Sequence, residues 1–148
     1  MYKHILIATD GSQPSAKALD HGIKLAKSLG ASLTILTVTE MWSALAMSAG
    51  IEAGMVNPIG EYEEAVAASA KKLLTEAAGT AAGADVTCKT EHIADRHPSE
   101  AIVETAQKSK CDLIVMGSHG RRGFDRLLLG SQANEVLIAS TVPVLVVR

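Results

Sequence analysis

Aromatic residues make up only 3% of the 148-residue chain: one Trp, two Tyr and one Phe. Platforms on which single-stranded nucleic acid could stack are therefore missing, and a core has to be built from Val, Ile, Leu and Ala. Cysteine is equally scarce. Cys88 and Cys111 form no C-x-x-C pair, so they read as small buried or half-buried thiols rather than a redox couple or a zinc site. The five histidines are scattered, and His92 and His97, around a strand end, make a weak case for a metal. No stretch approaches the roughly 18 apolar residues of a membrane span. The apolar run within MYKHILIATDG is too short for a signal peptide, so a cytoplasmic location is expected. The net charge of -2 supplies no attraction to nucleic acid or to an anionic membrane, and neither is expected as a partner. Two familiar phosphate-binding motifs are also absent: no Gly-Lys-Ser/Thr closes a P-loop, and no G-x-G-x-x-G follows the first apolar run.

What is present is the composition of one soluble globular domain over residues 1–148, with 47% hydrophobic and 20% charged residues, a size that buries a core without disulfides or metals. His4 to Ala8 is a short continuous apolar run, as expected of a central strand covered on both faces. Ser12 and Pro14 then open a helix in which Ala16, Leu19, Ile23, Ala26 and Leu29 follow helical spacing, and Gly30 stops it. Ser32 to Thr39, rich in β-branched residues, reads as a second strand. Met41 to Gly60 has no sustained periodicity and is long for a connection. It is either a lid or partner surface, or a partly helical segment on which Met41, Trp42, Leu45 and Met47 pack down.

From Glu61 to about Ala78 the spacing of Tyr62, Val66, Ser69 or Ala70, Leu73 and Ala77 predicts a helix, closed by Gly79 and Gly83. Ala84 to Ile93 alternates as a third strand. Pro98 opens a helix to Lys108, with Ile102, Val103 and Ala106 as its buried candidates. Asp112 to Met116 is a fourth strand, the stretch after Ser131 a fourth helix with Ala133, Val136, Leu137 and Ser140 on one face, and Val142 to Val147 a fifth strand. Five strands alternating with four helices imply an α/β fold, a single doubly wound parallel sheet with helices on both faces. Connection rules alone allow the orders 3-2-1-4-5 and 2-1-3-4-5.

The chemistry concentrates in Gly117 to Ser131, GSHGRRGFDRLLLGS. It follows a strand and precedes a helix, with Ser131 as the expected N-cap and Arg121, Arg122 and Arg126 between. Glycines let backbone approach a ligand, and the first turn of a helix offers unpaired N–H groups and a partial positive charge, so this is where an anion such as phosphate would sit. The glycines could also simply shape a turn. Arg121 and Arg122 are able to neutralise phosphate charge or to remain solvated. Ser118 and His119 are possible phosphate contacts or proton-transfer groups. No nucleophile and base pair stands out.

Gly117, Gly120, Gly130 and Ser131 satisfy the spacing G-x2-G-x9-G-[ST]. With them the chain, from KHILIATDGS to VPVLVVR, resembles the universal stress protein family, in which that spacing marks the ATP-binding branch. The resemblance implies the order 3-2-1-4-5, a stress-response role and ATP as ligand, with Mg²⁺ expected. It places nucleotide contacts at Asp10, Val38, Met116, Gly117, Ser118, Gly120, Arg121, Arg122, Gly123, Gly130, Ser131 and Gln132. Val38 would contribute main-chain groups to adenine, and Gly117 would let the ribose approach. Asp10, whose carboxylate would be repelled by phosphate, would accept hydrogen bonds from ribose or adenine, hold the metal, or cap the first helix. A homodimer is implied through the last strand, Val142, Val144, Leu145, Val146 and Val147, which is apolar on both faces and needs cover if it lies at a sheet edge. A regulatory role further implies a protein partner that no residue identifies. The alternatives are a slow ATPase or phosphoryl-transfer enzyme and a structural dimer without nucleotide. Arg96 stands where the family usually has a glycine two places before Pro98, which makes the geometry of that turn an open question.

Overall fold

The computed structural model describes residues 1–40, 44–120 and 128–148. The expectations for Met41, Trp42, Arg121, Arg122, Gly123 and Arg126 lie outside the described residues. Five parallel strands form one sheet in the order β3-β2-β1-β4-β5. They are β1 (His4–Ala8), β2 (Ser32–Thr39), β3 (Cys88–Ala94), β4 (Leu113–Gly117) and β5 (Val144–Val147). The described helices are α1 (Gln13–Leu29), α2 (Ala44–Glu52), α3 (Pro58–Gly83), α4 (Pro98–Lys108) and α5 (Ser131–Ala139). The order 3-2-1-4-5 is the one the family resemblance implied.

Alternation along the strands divides the core in two. Ile5, Ile7, Leu33, Ile35, Leu113 and Val115 pack beneath α1 and α3, while Leu6, Leu36, Ile114 and Met116 pack beneath α4 and α5. A strand buried on both faces needs no polar alternate positions, which is why β1 and β4 read as unbroken apolar runs.

Several boundaries differ from those expected. A fifth helix, α2, occupies part of the 41–60 segment, but Leu45 is 79% exposed and does not pack down. The helix α3 starts earlier, at Pro58, because Asn57 caps it by accepting from the Gly60 N–H. It then runs through Gly79, since Ala77 and Ala81 are buried on either side and their packing outweighs the roughly 1 kcal/mol that glycine costs in a helix. Its buried face carries Leu74 rather than Leu73. On α1 the buried residues are Ser15, Ala18, Gly22, Ile23 and Ala26, not Ala16 or Leu29. The helix lies so close to the sheet that a Cβ on Gly22 would meet Ile7 Cδ1 at 2.6 Å, so small size rather than hydrophobicity selects that face. On α5, Leu137 is 42% exposed.

Three helices leave for the sheet through one device. Ala31 N–H bonds Ala26 O, Val86 N–H bonds Ala81 O and Cys111 N–H bonds Ala106 O, each behind a residue of positive φ: Gly30, Asp85 and Lys110. These are Schellman turns; each ends on a buried side chain, Ala31, Val86 or Cys111. The turn at Asp85 occupies the residues expected to begin β3, which therefore starts at Cys88. Burial pushes the Cys111 thiol up to about 11, so it stays protonated at neutral pH. At the other end of β3 the left-handed residue is Asp95, so Arg96 takes an ordinary φ and pairs with Glu104 at 2.8 Å. The strand β5 begins at Val144, because Ser140 Oγ takes both the N–H and the carbonyl of Val142.

Candidate ligand site at the switch point

Connections leave β1 and β4 in opposite directions across the sheet, so the crevice beyond their C-terminal ends is the switch point, the place where ligands bind in such folds. The residues following β1 and β4 meet there. A Cβ on Gly120 would lie 3.0 Å from Asp10 Oδ2. The other carboxylate oxygen, Asp10 Oδ1, accepts the Ser12 N–H at 2.9 Å, while Ser12 Oγ itself caps α1 by accepting from Ser15 N–H. Asp10 shapes the turn and leaves the cap to Ser12.

Gly117 has a packing reason of its own. It is the last residue of β4, and a Cβ there would come within 2.8 and 2.9 Å of the Pro14 carbonyl carbon and oxygen. Gly130 is placed similarly: its N–H donates to Ser118 O at 2.7 Å, and a Cβ would collide with that oxygen at 2.9 Å. Ser118 is buried, its N–H bonds Val147 O, and its hydroxyl is 2.9 Å from His119 Nδ1. The two groups that lacked partners in the sequence are each other's partner. His119 Nε2 is buried without a hydrogen-bond partner among the described residues.

Ser131 is not the N-cap of α5. Gly130 is, and it offers no side-chain cap, so Ser131 is the first helical residue. The consequence shows in a comparison of helix starts. Ser12 caps α1 and Asn57 caps α3, and the Ser99 N–H in the first turn of α4 donates to Gln132 Oε1 at 3.0 Å. Whereas α1, α3 and α4 each receive a side-chain cap, no side chain among the described residues caps the first turn of α5. Its Asn134 N–H bonds Gly130 O, while Ser131, Gln132 and Ala133 fall in the turn whose N–H groups have no intrahelical acceptor.

Val38 lies near the end of β2, and Met116 is buried under α4 and α5. In a parallel ladder the main-chain groups of alternate residues point the same way. Ser32 N–H bonds Lys3 O and Thr9 N–H bonds Leu36 O, so Val38 directs its main-chain groups toward the end of β1, over Thr9 and Asp10. A cavity of about 440 Å³ lies between α3 and β3, and one of about 330 Å³ lies between α3 and the ends of β2 and β3, lined in part by Thr39 and Glu40. Among the described residues no group of three or more His, Cys, Asp or Glu can hold a metal ion, and no helix is long and apolar enough to cross a membrane.

A doubly wound parallel sheet, with glycines and an open helix start at its switch point, places the chain among the α/β proteins that carry their site at that crevice. More narrowly, the chain belongs to the universal stress protein family, whose model matches residues 1–148. It is 37% identical over 149 residues to the universal stress protein YxiE of Bacillus subtilis, covering 100% of both chains. Among solved structures it resembles UspA of Lactobacillus plantarum with a TM-score of 0.82 at 26% identity, covering 99% and 98% of the two chains. A universal stress protein in complex with cAMP aligns with a TM-score of 0.70 at 26% identity over 99% and 97%.

Proposed function

We propose that the chain is a nucleotide-dependent regulatory module that binds ATP at the switch point, its phosphates on the first turn of α5. The observation that carries this reading is that the start of α5 has no side-chain cap among the described residues, set beside three capped ones. In a protein that satisfies helix ends with side chains elsewhere, three N–H groups without an intrahelical acceptor beside Gly130 provide for an anion. Val38 main-chain groups would meet adenine, and Asp10 would meet the ribose or the cation. A related fold holds cAMP, whose adenosine moiety is also that of ATP.

Mg²⁺ fits the same site. With no cage of three acidic or histidine ligands among the described residues, the ion would be held by phosphate oxygens and water with at most Asp10 from these residues, as Mg²⁺ often is. Nucleotide released by acid from freshly purified protein tests the reading, followed by calorimetric titration of ATP into the stripped protein. Adenine nucleotide in the released fraction and saturable binding heat are expected. Neither appearing would sink ATP binding and leave a structural dimer; a content dominated by ADP would make hydrolysis the better description.

The dimer is proposed through β5. It forms a sheet edge, and Val144, Leu145, Val146 and Val147 are all half-buried there. An apolar edge strand left open templates aggregation, whereas a second copy would cover it. Sedimentation at micromolar concentration should give twice the 15.4 kDa chain mass; a monomeric mass would refute the pairing.

A further inference from the structure

We propose that Gln132 is a positioning residue, holding the first turn of α5 in the orientation that receives phosphate. The inference rests on the nucleotide reading above. Gln132 has two duties in two directions. Its N–H belongs to the open first turn, while its side-chain Oε1 accepts the Ser99 N–H of α4 at 3.0 Å, across 33 residues of sequence. Pro98 has no N–H to satisfy and Ala101 N–H already bonds His97 O, so Gln132 supplies α4 with a cap that His97 does not.

A second bond falls one turn later. Ser99 Oγ donates to Glu135 Oε2 at 2.6 Å. His97 Nδ1 lies 3.0 Å from the same Oγ, and since the hydroxyl proton is committed to Glu135, His97 must donate its own. Residues 132 and 135 are neighbours on one face of α5, so the helix is tied at two points to Ser99, itself buried. The helix α4 in turn is fixed to the sheet by Ala101, Ile102 and Ala106.

Gly130 supplies α5 with no side-chain cap of its own, so the side-chain restraint on its first turn, beyond the backbone bond from Gly130 N–H to Ser118 O, comes from α4 among the described residues. Donors held in place before the ligand arrives cost less ordering on binding than donors that must be aligned by it. The phosphate part of the ligand should therefore feel the tie, and the nucleoside part should not.

The test is Gln132→Met, which keeps length and volume but has no comparable acceptor. ATP affinity is measured by calorimetry, adenosine affinity by NMR titration and Ser99 amide exchange by NMR. We expect faster Ser99 exchange, a rise of about five- to tenfold in the ATP Kd, as for the loss of one hydrogen bond, and an unchanged adenosine Kd. Ser99→Ala, which keeps the bond to Gln132 and removes the hydroxyl's bonds to Glu135 and His97, should shift ATP in the same direction and by less. If Ser99 exchange is unaltered, if ATP affinity is untouched, or if ATP and adenosine weaken equally, Gln132 does not position the phosphate donors. If the unaltered protein binds neither ligand, the nucleotide reading fails first and the inference with it.

Discussion

Gly117→Ala should unfold about 10 °C below the unaltered protein, corresponding to a loss of about 2–4 kcal/mol. The added methyl would sit 2.8 and 2.9 Å from the Pro14 carbonyl carbon and oxygen. These are backbone atoms of the first turn of α1, and no rotamer change moves them aside. That turn is held by the bond from Ala16 N–H to Ser12 O and by the pair of Thr9 and Ser15 hydroxyls. Behind it Ala18 is fully buried in the core that contains Val115. Relief would require α1 to lift away from β4, undoing close packing over several residues. Gly120→Ala makes the informative contrast. Among the described residues its methyl meets Asp10 Oδ2 alone, at 3.0 Å, so the melting temperature should move by no more than about 3 °C, equivalent to roughly 1 kcal/mol, while ATP affinity falls as the space between loop and carboxylate fills. Thermal melts beside ATP titrations separate the two. An unchanged melting temperature in Gly117→Ala would mean that α1 and β4 are not locked together as described. The contrast also identifies Gly120, not Gly117, as the position for probing the site without disturbing the fold.

The elements that were legible in the sequence are those whose cause is local. The runs His4–Ala8 and Ser32–Thr39 end where the strands end, because burial on both faces and a following turn leave their mark in consecutive residues. By contrast, α2 is exposed along most of its length, so no core selects one of its faces and no period could reveal it. The buried face of α1 was misplaced because the proximity of Ile7 to Gly22 rewards small residues there, an effect of tertiary distance. Periodicity left two strand orders open, and only the resemblance chose between them. In the site, the glycine spacing was visible because it lies within one loop. The bonds from Ser99 to Gln132 and Glu135 were not, as they join residues 33 and 36 apart, and neither residue type announces a partner. The one available hint was negative: glycine at the start of α5 where a serine or aspartate is usual.

Asp10→Ala should raise the ATP Kd by about thirtyfold, the scale of a hydrogen bond or cation contact made by a charged group. Two neighbouring variants decide what the carboxylate does. Oδ1 accepts the Ser12 N–H, and Oδ2 faces Gly120 across the crevice. Asp10→Asn keeps one acceptor oxygen for the Ser12 N–H, places an NH2 donor at the second position and removes the charge. If Oδ2 meets a ribose hydroxyl, which can turn to accept from the new NH2, the Asn protein should retain most of its affinity, in the presence of Mg²⁺ or of a chelator alike. If Oδ2 faces the cation, the Asn protein should lose the gain in ATP affinity that Mg²⁺ confers, and its affinity should match that of the unaltered protein in chelator. ATP titrations of the three proteins, with and without Mg²⁺, therefore distinguish a nucleoside contact from a metal contact. Equal affinity in all of them would remove Asp10 from the site and reduce its role to the turn between β1 and α1, in which case the approach of Gly120 to Asp10 would be packing alone.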